Sequence, residues 1–188
     1  MVKKFNIVLD LDQTLISSED LKDFVPDQKK MSNFKHAKMD NSYITFERPH
    51  LQEFLDFLFK NYNVSIWTAA TKNYALFIIN KFIRKRGRNI DFIFFSYHCD
   101  LSTNEGRGLK GLDMLWEKFK LSGYNQNNTI IIDDNSEVKK IQTCNCYHIK
   151  PFYYKRKGSE NDTELLKLME GLKNMHNSKD KCVIKRLI

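Results

Sequence analysis

Aspartates gather at two places in this chain, and both places follow short apolar runs. Asp10 and Asp12 close the stretch FNIVLDLD, with Thr14 two residues on, and Asp133 and Asp134 follow TIII at 129–132. Thr68 comes directly after VSIW, and Lys110 lies in a glycine-containing stretch ahead of an apolar one. Carboxylate oxygens at the ends of two different strands make a hard site that suits Mg²⁺ bridging to a phosphate. Asp10 and Asp12 share one face of an extended chain. One has the chemistry to bind metal and attack phosphorus, the other to pass a proton to the leaving group. A hydroxyl at Thr68 and an ammonium at Lys110 would hold phosphoryl oxygens and offset charge in the transition state. Each residue alone has a plainer reading. Asp12 and Thr14 suit a turn, Asp133-Asp134-Asn135 a turn or helix cap, and Lys110 a solvated surface. The conjunction of two acidic clusters, each ending an apolar strand, with Thr and Lys between them, favours chemistry.

Six apolar segments read as strands: Phe5–Leu11, Ser42–Phe46, Val64–Trp67, Ile90–Tyr97, Thr129–Ile132 and Cys146–Ile149. Helical spacing marks a segment from Leu51, with Pro49 at an N1-like position, and further segments at Asn73–Ile83 and Leu112–Phe119. Ser159–Leu172 reads as an amphipathic helix with Asp162 near its start. Residues 17–47 read as an insertion or loop, broken by Pro26 and polar apart from the strand at its end, and Ser102–Gly111 reads as a loop with three glycines. Strands alternating with helices predict an α/β chain, a Rossmann-like three-layer fold with a central parallel sheet and helices on both faces. Such sheets bind ligands beyond the carboxyl ends of their strands, where every residue singled out above would lie. The intervals from Asp12 to Thr68 and from Thr68 to Lys110 leave no room for a large cap domain. An open site suits a phosphoryl group carried on a polypeptide or a polynucleotide end.

The 188 residues suit one domain, divided here into a catalytic region at 1–173 and a basic tail at 174–188. A hydrophobic content of 41% argues against intrinsic disorder, and 7 Gly with 3 Pro exclude collagen-like and low-complexity classes. No apolar run approaches the roughly 18–20 residues a membrane span needs. Asp10 and Asp12 interrupt the apolar N-terminal stretch, so no signal peptide is expected. Cys99, Cys144, Cys146 and Cys182 are too few for a disulfide framework and lack zinc-ligand spacing. Reduced cysteines in an intracellular, nuclear or cytoplasmic setting are therefore expected. The net charge of +8 favours an acidic partner without requiring direct nucleic-acid binding.

VLDLDQTL at 8–15 resembles the D-x-D-x-T signature of haloacid-dehalogenase-superfamily phosphatases. FERPHLQEFL at 46–55, IWTAATKNYA at 66–75, GLKGL at 108–112 and IIIDDNS at 130–136 follow in that superfamily's order. The set is similar to the RNA polymerase II C-terminal-domain (CTD) phosphatases, the small ones included. NDTELLKLME resembles their final helix, and the likeness covers roughly residues 5–173. It implies a hydrolase, a Mg²⁺-dependent phosphatase of phosphoserine and phosphothreonine, with the polymerase heptads as the implied substrate. By resemblance, Asp10 is the nucleophile that forms an aspartyl-phosphate and binds metal. Asp12 is the general acid and base, with its main-chain carbonyl on the metal. Thr68 and Lys110 bind phosphate, and Thr14 and Ala69 support the loops. Asp134 and Asp133 complete the metal set, with Asn135 as the alternate ligand. Gln13, Trp67, Ala70 and Leu76 depart from the pattern. Residues 91–109 correspond to the substrate-facing segment, where His98 stands and no arginine can be matched. Two other readings are a phosphatase of nucleic-acid ends or lipid phosphate, and a catalytically weak binding module. A receiver-type phosphoacceptor is disfavoured, because there the acidic pair follows the first strand.

Overall fold

Eight strands and six short α-helices make up the described part of the chain, residues 5–102, 109–175 and Cys182 of a computed structural model. The strands are β1 (Asn6–Leu9), β2 (Ile16–Asp20), β3 (His36–Met39), β4 (Tyr43–Glu47), β5 (Asn63–Trp67), β6 (Ile90–Phe94), β7 (Thr129–Asp133) and β8 (Cys146–His148). The helices are α1 (Gln28–Met31), α2 (Leu51–Asn61), α3 (Lys72–Ile78), α4 (Ser96–Asp100), α5 (Ser136–Ile141) and α6 (Glu164–Asn174). Wider π-type turns continue α3 over Ile79–Ile83 and form a separate segment at Met114–Lys118.

β1 is central in a parallel sheet of order β6-β5-β1-β7-β8. Its four residues are all buried, as expected of a strand covered on both faces. Alternate side chains feed opposite layers. Ile7, Leu9, Val64, Ile66, Ile130 and Ile132 pack with α2, α3 and α6. Val8, Trp67 and Ile131 pack with Leu112, Met114, Leu115 and Val138 on the other face. The expected three-layer α/β fold is the one observed.

Several segments differ from the sequence expectation. The insertion is a second sheet, antiparallel, of order β2-β4-β3. β4 is the strand expected at Ser42–Phe46, but β2 and β3 are too polar to announce the sheet. A separate aromatic cluster holds it, in which Phe46 of β4 stacks on Tyr154 at 3.6 Å, with Phe34 and Phe152 alongside. Truncating Phe46 to alanine is expected to cost about 3–5 kcal/mol, the range for a buried aromatic, read by urea denaturation. β6 ends at Phe94, because the chain turns into α4 at Ser96. Pro49 stands outside α2: Leu51 N–H bonds Arg48 C=O at 3.2 Å and His50 has φ 65°, a type II-like turn with proline at its second position. Ser159–Asn161 is a single 3₁₀ turn, and α6 begins only at Glu164, because Asp162 is held by Arg48.

The cysteine expectation needs correction as well. Cys99 and Cys146 are free and buried, but Cys144 and Cys182 form a disulfide. The fold brings the turn before β8 beside a residue 38 positions on, a proximity that cysteine spacing does not encode. The rest of the Gly-rich loop at 103–108, and of the tail beyond Met175, falls outside the described residues.

Candidate active site

Register sets the depth of the site. Leu9 pairs with Ile66 of β5 and with Ile132 of β7, so three strands end level. Asp10 follows β1 directly, with its N–H on Ile132 C=O at 3.0 Å, Asp133 ends β7, and Thr68 follows β5. The chain order reverses beside β1, which is the switch point where open α/β sheets place their ligands. Beyond Asp10 the chain doubles back: Gln13 takes φ 57° and its N–H reaches Ile16 C=O at 2.8 Å. That turn sets Asp12 and Thr14 at the mouth of the sheet.

Lys110 lies buried between two carboxylates. Its Nζ donates to Asp10 and, at 2.8 Å, to Asp133 Oδ2. Asp133 Oδ1 accepts the N–H of Asn135 at 2.8 Å. Asp134 Oδ1 accepts the Thr14 hydroxyl at 3.4 Å. Oxygens of Asp10, Asp133 and Asp134 all lie within 4.8 Å of one another. Three carboxylates against one ammonium leave a formal charge of −2, which one divalent cation cancels. An all-oxygen set of this kind fits a hard ion such as Mg²⁺.

Burial pushes the Asp10 carboxyl up, and Lys110 only partly restrains it. Burial works against the charge on Lys110, yet Asp10 and Asp133 outweigh it and hold the ammonium above its ordinary range. Asp134 is raised by burial and then by the charge of Asp133. Asp12 is raised by burial, opposed by a hydrogen bond from Tyr74. The acidic groups are thus crowded in a way that a cation relieves.

The sequence candidates converge on a cleft of about 620 Å³. Asp10, Asp12, Thr68, Ala69 and Lys110 line one part of it, and Asp133, Asp134 and Asn135 another. The Thr68 hydroxyl is fixed by the N–H of Ala70 at 3.0 Å. Thr14 is buried beneath the loop and braces Asp134 rather than facing the cleft. Asn135 caps α5 by accepting the N–H of Glu137 at 2.9 Å, so its side-chain oxygen is already engaged. The Asp12 carboxylate stands apart from the acidic trio and is held by Tyr74 at 2.6 Å. His98 does not line the cleft. Its ring stacks on Phe94 at 4.2 Å and its Nδ1 accepts the Phe95 N–H.

Sequence reasoning overlooked other parts of the site. Pro151 and Tyr153 form a wall of the cleft, and Tyr74 touches Asp12. The aromatic run PFYY after the last strand was the available signal for that wall.

The family model of NLI interacting factor-like phosphatases matches residues 5–182. The chain belongs to that family. It is 45% identical over 179 residues to protein 355R of Invertebrate iridescent virus 6, described as CTD phosphatase-like, spanning 91% of this chain and 98% of the relative. It is 29% identical over 147 residues to the ubiquitin-like domain-containing CTD phosphatase 1 of Xenopus tropicalis, spanning 76% of this chain and 46% of that one. The solved structure of Fcp1, an essential RNA polymerase II CTD phosphatase, superposes with a TM-score of 0.58 at 19% identity. That superposition covers 98% of this chain and 52% of Fcp1. Family, relatives and fold agree on a CTD phosphatase-like member of the haloacid dehalogenase superfamily, and the names its relatives bear point to a phosphatase. Among the described residues of this family member, no helix is long and apolar enough to cross a membrane.

Proposed function

We propose that this family member is a Mg²⁺-dependent phosphoric monoester hydrolase that removes phosphate from phosphoserine and phosphothreonine in polypeptides. The observation that carries the reading is the buried Lys110 clamped between Asp10 and Asp133 at the floor of an open cleft, with Asp134 beside them. Asp10 attacks phosphorus, the bond from phosphorus to the serine or threonine oxygen breaks, and Asp12 gives that oxygen its proton. Asp12 then takes a proton from water, which attacks the aspartyl-phosphate and releases phosphate, restoring Asp10. Thr68 and Lys110 hold the phosphoryl oxygens throughout. Asp10, Asp133, Asp134 and the main-chain carbonyl of Asp12 are the groups that would hold Mg²⁺. The ion supplies positive charge against the phosphoryl group.

The insertion between Asp12 and Thr68 forms a three-stranded sheet and not a large cap, which supports a phosphate borne on a polymer. The names of the relatives favour polymerase C-terminal-domain heptads and hence an encounter in the nucleus. The net charge of +8 also suits phosphorylated nucleic-acid ends as a second reading.

Turnover is expected to vanish in EDTA and to return with Mg²⁺. The test is phosphate release from phosphorylated heptad peptides, unrelated phosphopeptides and 5′-phosphorylated oligonucleotides, measured side by side with and without metal. Equal rates on all peptides would remove the heptad assignment. A clear preference for oligonucleotides would overturn the phosphoprotein reading.

A further inference from the structure

We propose that Tyr74 is the positioning residue of the proton-transfer step. Its hydroxyl holds Asp12 Oδ1, so the transferred proton travels on Oδ2, and Ser18 and Thr45 of the small sheet hold the tyrosine in turn. The proposal rests on the phosphatase reading above and assigns a task to residues outside the phosphate and metal set.

Tyr74 lies on α3, half-buried, with its hydroxyl 2.6 Å from Asp12 Oδ1 and 2.5 Å from Ser18 Oγ. Ser18 Oγ is in turn 2.7 Å from Thr45 Oγ1. Ser18 on β2 and Thr45 on β4 stand directly opposite in the ladder, so sheet register places both hydroxyls. The Tyr43 ring meets the Tyr74 ring edge-on at 5.5 Å and limits its swing.

Counting protons orders this chain. An ionised carboxylate only accepts, and a phenol carries one hydrogen. Tyr74 therefore donates to Asp12, Ser18 to Tyr74 and Thr45 to Ser18, all in one direction. Hydrogen bonds arranged head to tail polarise one another, which strengthens the last of them. When Asp12 carries its proton, the donor on Oδ1 makes that atom the carbonyl oxygen, and the hydroxyl must be at Oδ2. When Asp12 is ionised, Oδ1 accepts the same bond. The contact thus persists through both halves of the cycle, and one oxygen alone is left to exchange protons with the leaving group and with water. A tyrosine suits this task because burial and the neighbouring Asp12 charge hold its phenol above the ordinary range, so it stays a donor. The insertion sheet, otherwise a structural appendage, thereby gains a role at the reacting centre.

The leaving group provides the readout. Alkoxides need the proton as the bond breaks, whereas nitrophenolate leaves largely without it. With Mg²⁺ present, Tyr74→Phe is expected to lower kcat/KM on a phosphoserine peptide by about 10–100-fold, part of the ~10²–10⁴ that a placed acid supplies. On p-nitrophenyl phosphate the loss should stay within about 3-fold, because little acid assistance is needed there. Across aryl phosphates of rising leaving-group pKa, the plot of log kcat/KM should steepen. Ser18→Ala should steepen it in the same sense to a smaller degree, and it carries the test if Tyr74→Phe fails to fold. A parallel downward shift of the plot, equal on all leaving groups, would show a merely structural role and overturn the proposal, as would an unchanged plot in both variants. Failure of the wild-type protein to hydrolyse any of these esters would instead overturn the phosphatase reading itself.

Discussion

Asp10→Asn is expected to abolish turnover while leaving the chain folded. An amide nitrogen or oxygen at this position cannot form the acyl phosphate, so the loss should reach at least about four orders of magnitude, the scale seen when a covalent nucleophile is removed. The folded state should tolerate the change for a reason visible in the site. Asp10 and Asp133 share Lys110, and Asp133 Oδ2, 2.8 Å from Nζ, is left as its partner when Asp10 is neutralised. The ammonium keeps one buried partner, and the remaining pair is neutral. Burial already raises the Asp10 carboxyl, which means that its ionised form is the one the fold strains to hold. A neutral side chain of the same shape removes that strain. The measurements are kcat on a phosphopeptide with Mg²⁺, capture of labelled phosphate on the protein, and the thermal midpoint. Retained turnover, or labelling that persists in the variant, would rule out Asp10 as nucleophile.

The parts of this site legible in the sequence are those where polarity changes at a strand end. NIVL and TIII are apolar throughout because helices cover both faces of the sheet, so the first aspartate after each marks the sheet edge. Register then levels the two edges, and the catalytic candidates meet as expected. The small sheet was hidden for the opposite reason. ISSED and HAKM carry few apolar residues, and their stability comes from Phe152 and Tyr154, more than a hundred positions away. Contacts between distant residues leave no periodicity. Tyr74 on Asp12, 62 residues apart, and Cys144 on Cys182 are both of this kind. Asp162 stands near the start of α6 as expected, accepting the Glu164 N–H at 3.1 Å, but the helix begins two residues after it and not at Ser159. The buried guanidinium that claims Asp162 belongs to Arg48, 114 residues earlier.

That guanidinium supports the second large effect: Arg48→Ala is expected to destabilise the fold by about 3–5 kcal/mol, the cost of breaking a buried pair from one side. Arg48 is wholly buried. Its Nε and Nη2 form a two-pronged contact with Asp162 at 2.9 and 3.0 Å. Nη1 donates to Thr14 C=O at 2.9 Å, and Nη2 also donates to Lys150 C=O at 2.9 Å. The Phe152 ring lies against the same group, 5.5 Å to its centroid. One planar fork thus joins the loop that carries Asp12 and Thr14, the segment leading to the Pro151–Tyr153 wall, and the approach to α6. Removing it strands two carbonyls and, among the described residues, leaves the Asp162 carboxylate with the Glu164 N–H alone. For a chain of this length, the thermal midpoint should fall by roughly 10 °C, at 2–4 °C per kcal/mol. Arg48→Lys should recover little of this, because a single ammonium cannot make four contacts in three directions. Activity at temperatures well below the midpoint separates bracing from bulk stability. Thr14 also bonds Asp134, so a slackened Thr14 carbonyl disturbs the acidic trio as well as the loop. The variant should therefore lose kcat at 10 °C, where it is still folded, and need more Mg²⁺ for half-maximal rate. A folded Arg48→Ala protein within about 1 kcal/mol of the parent would mean that water replaces the fork at no great cost, a result that the burial of Arg48 argues against.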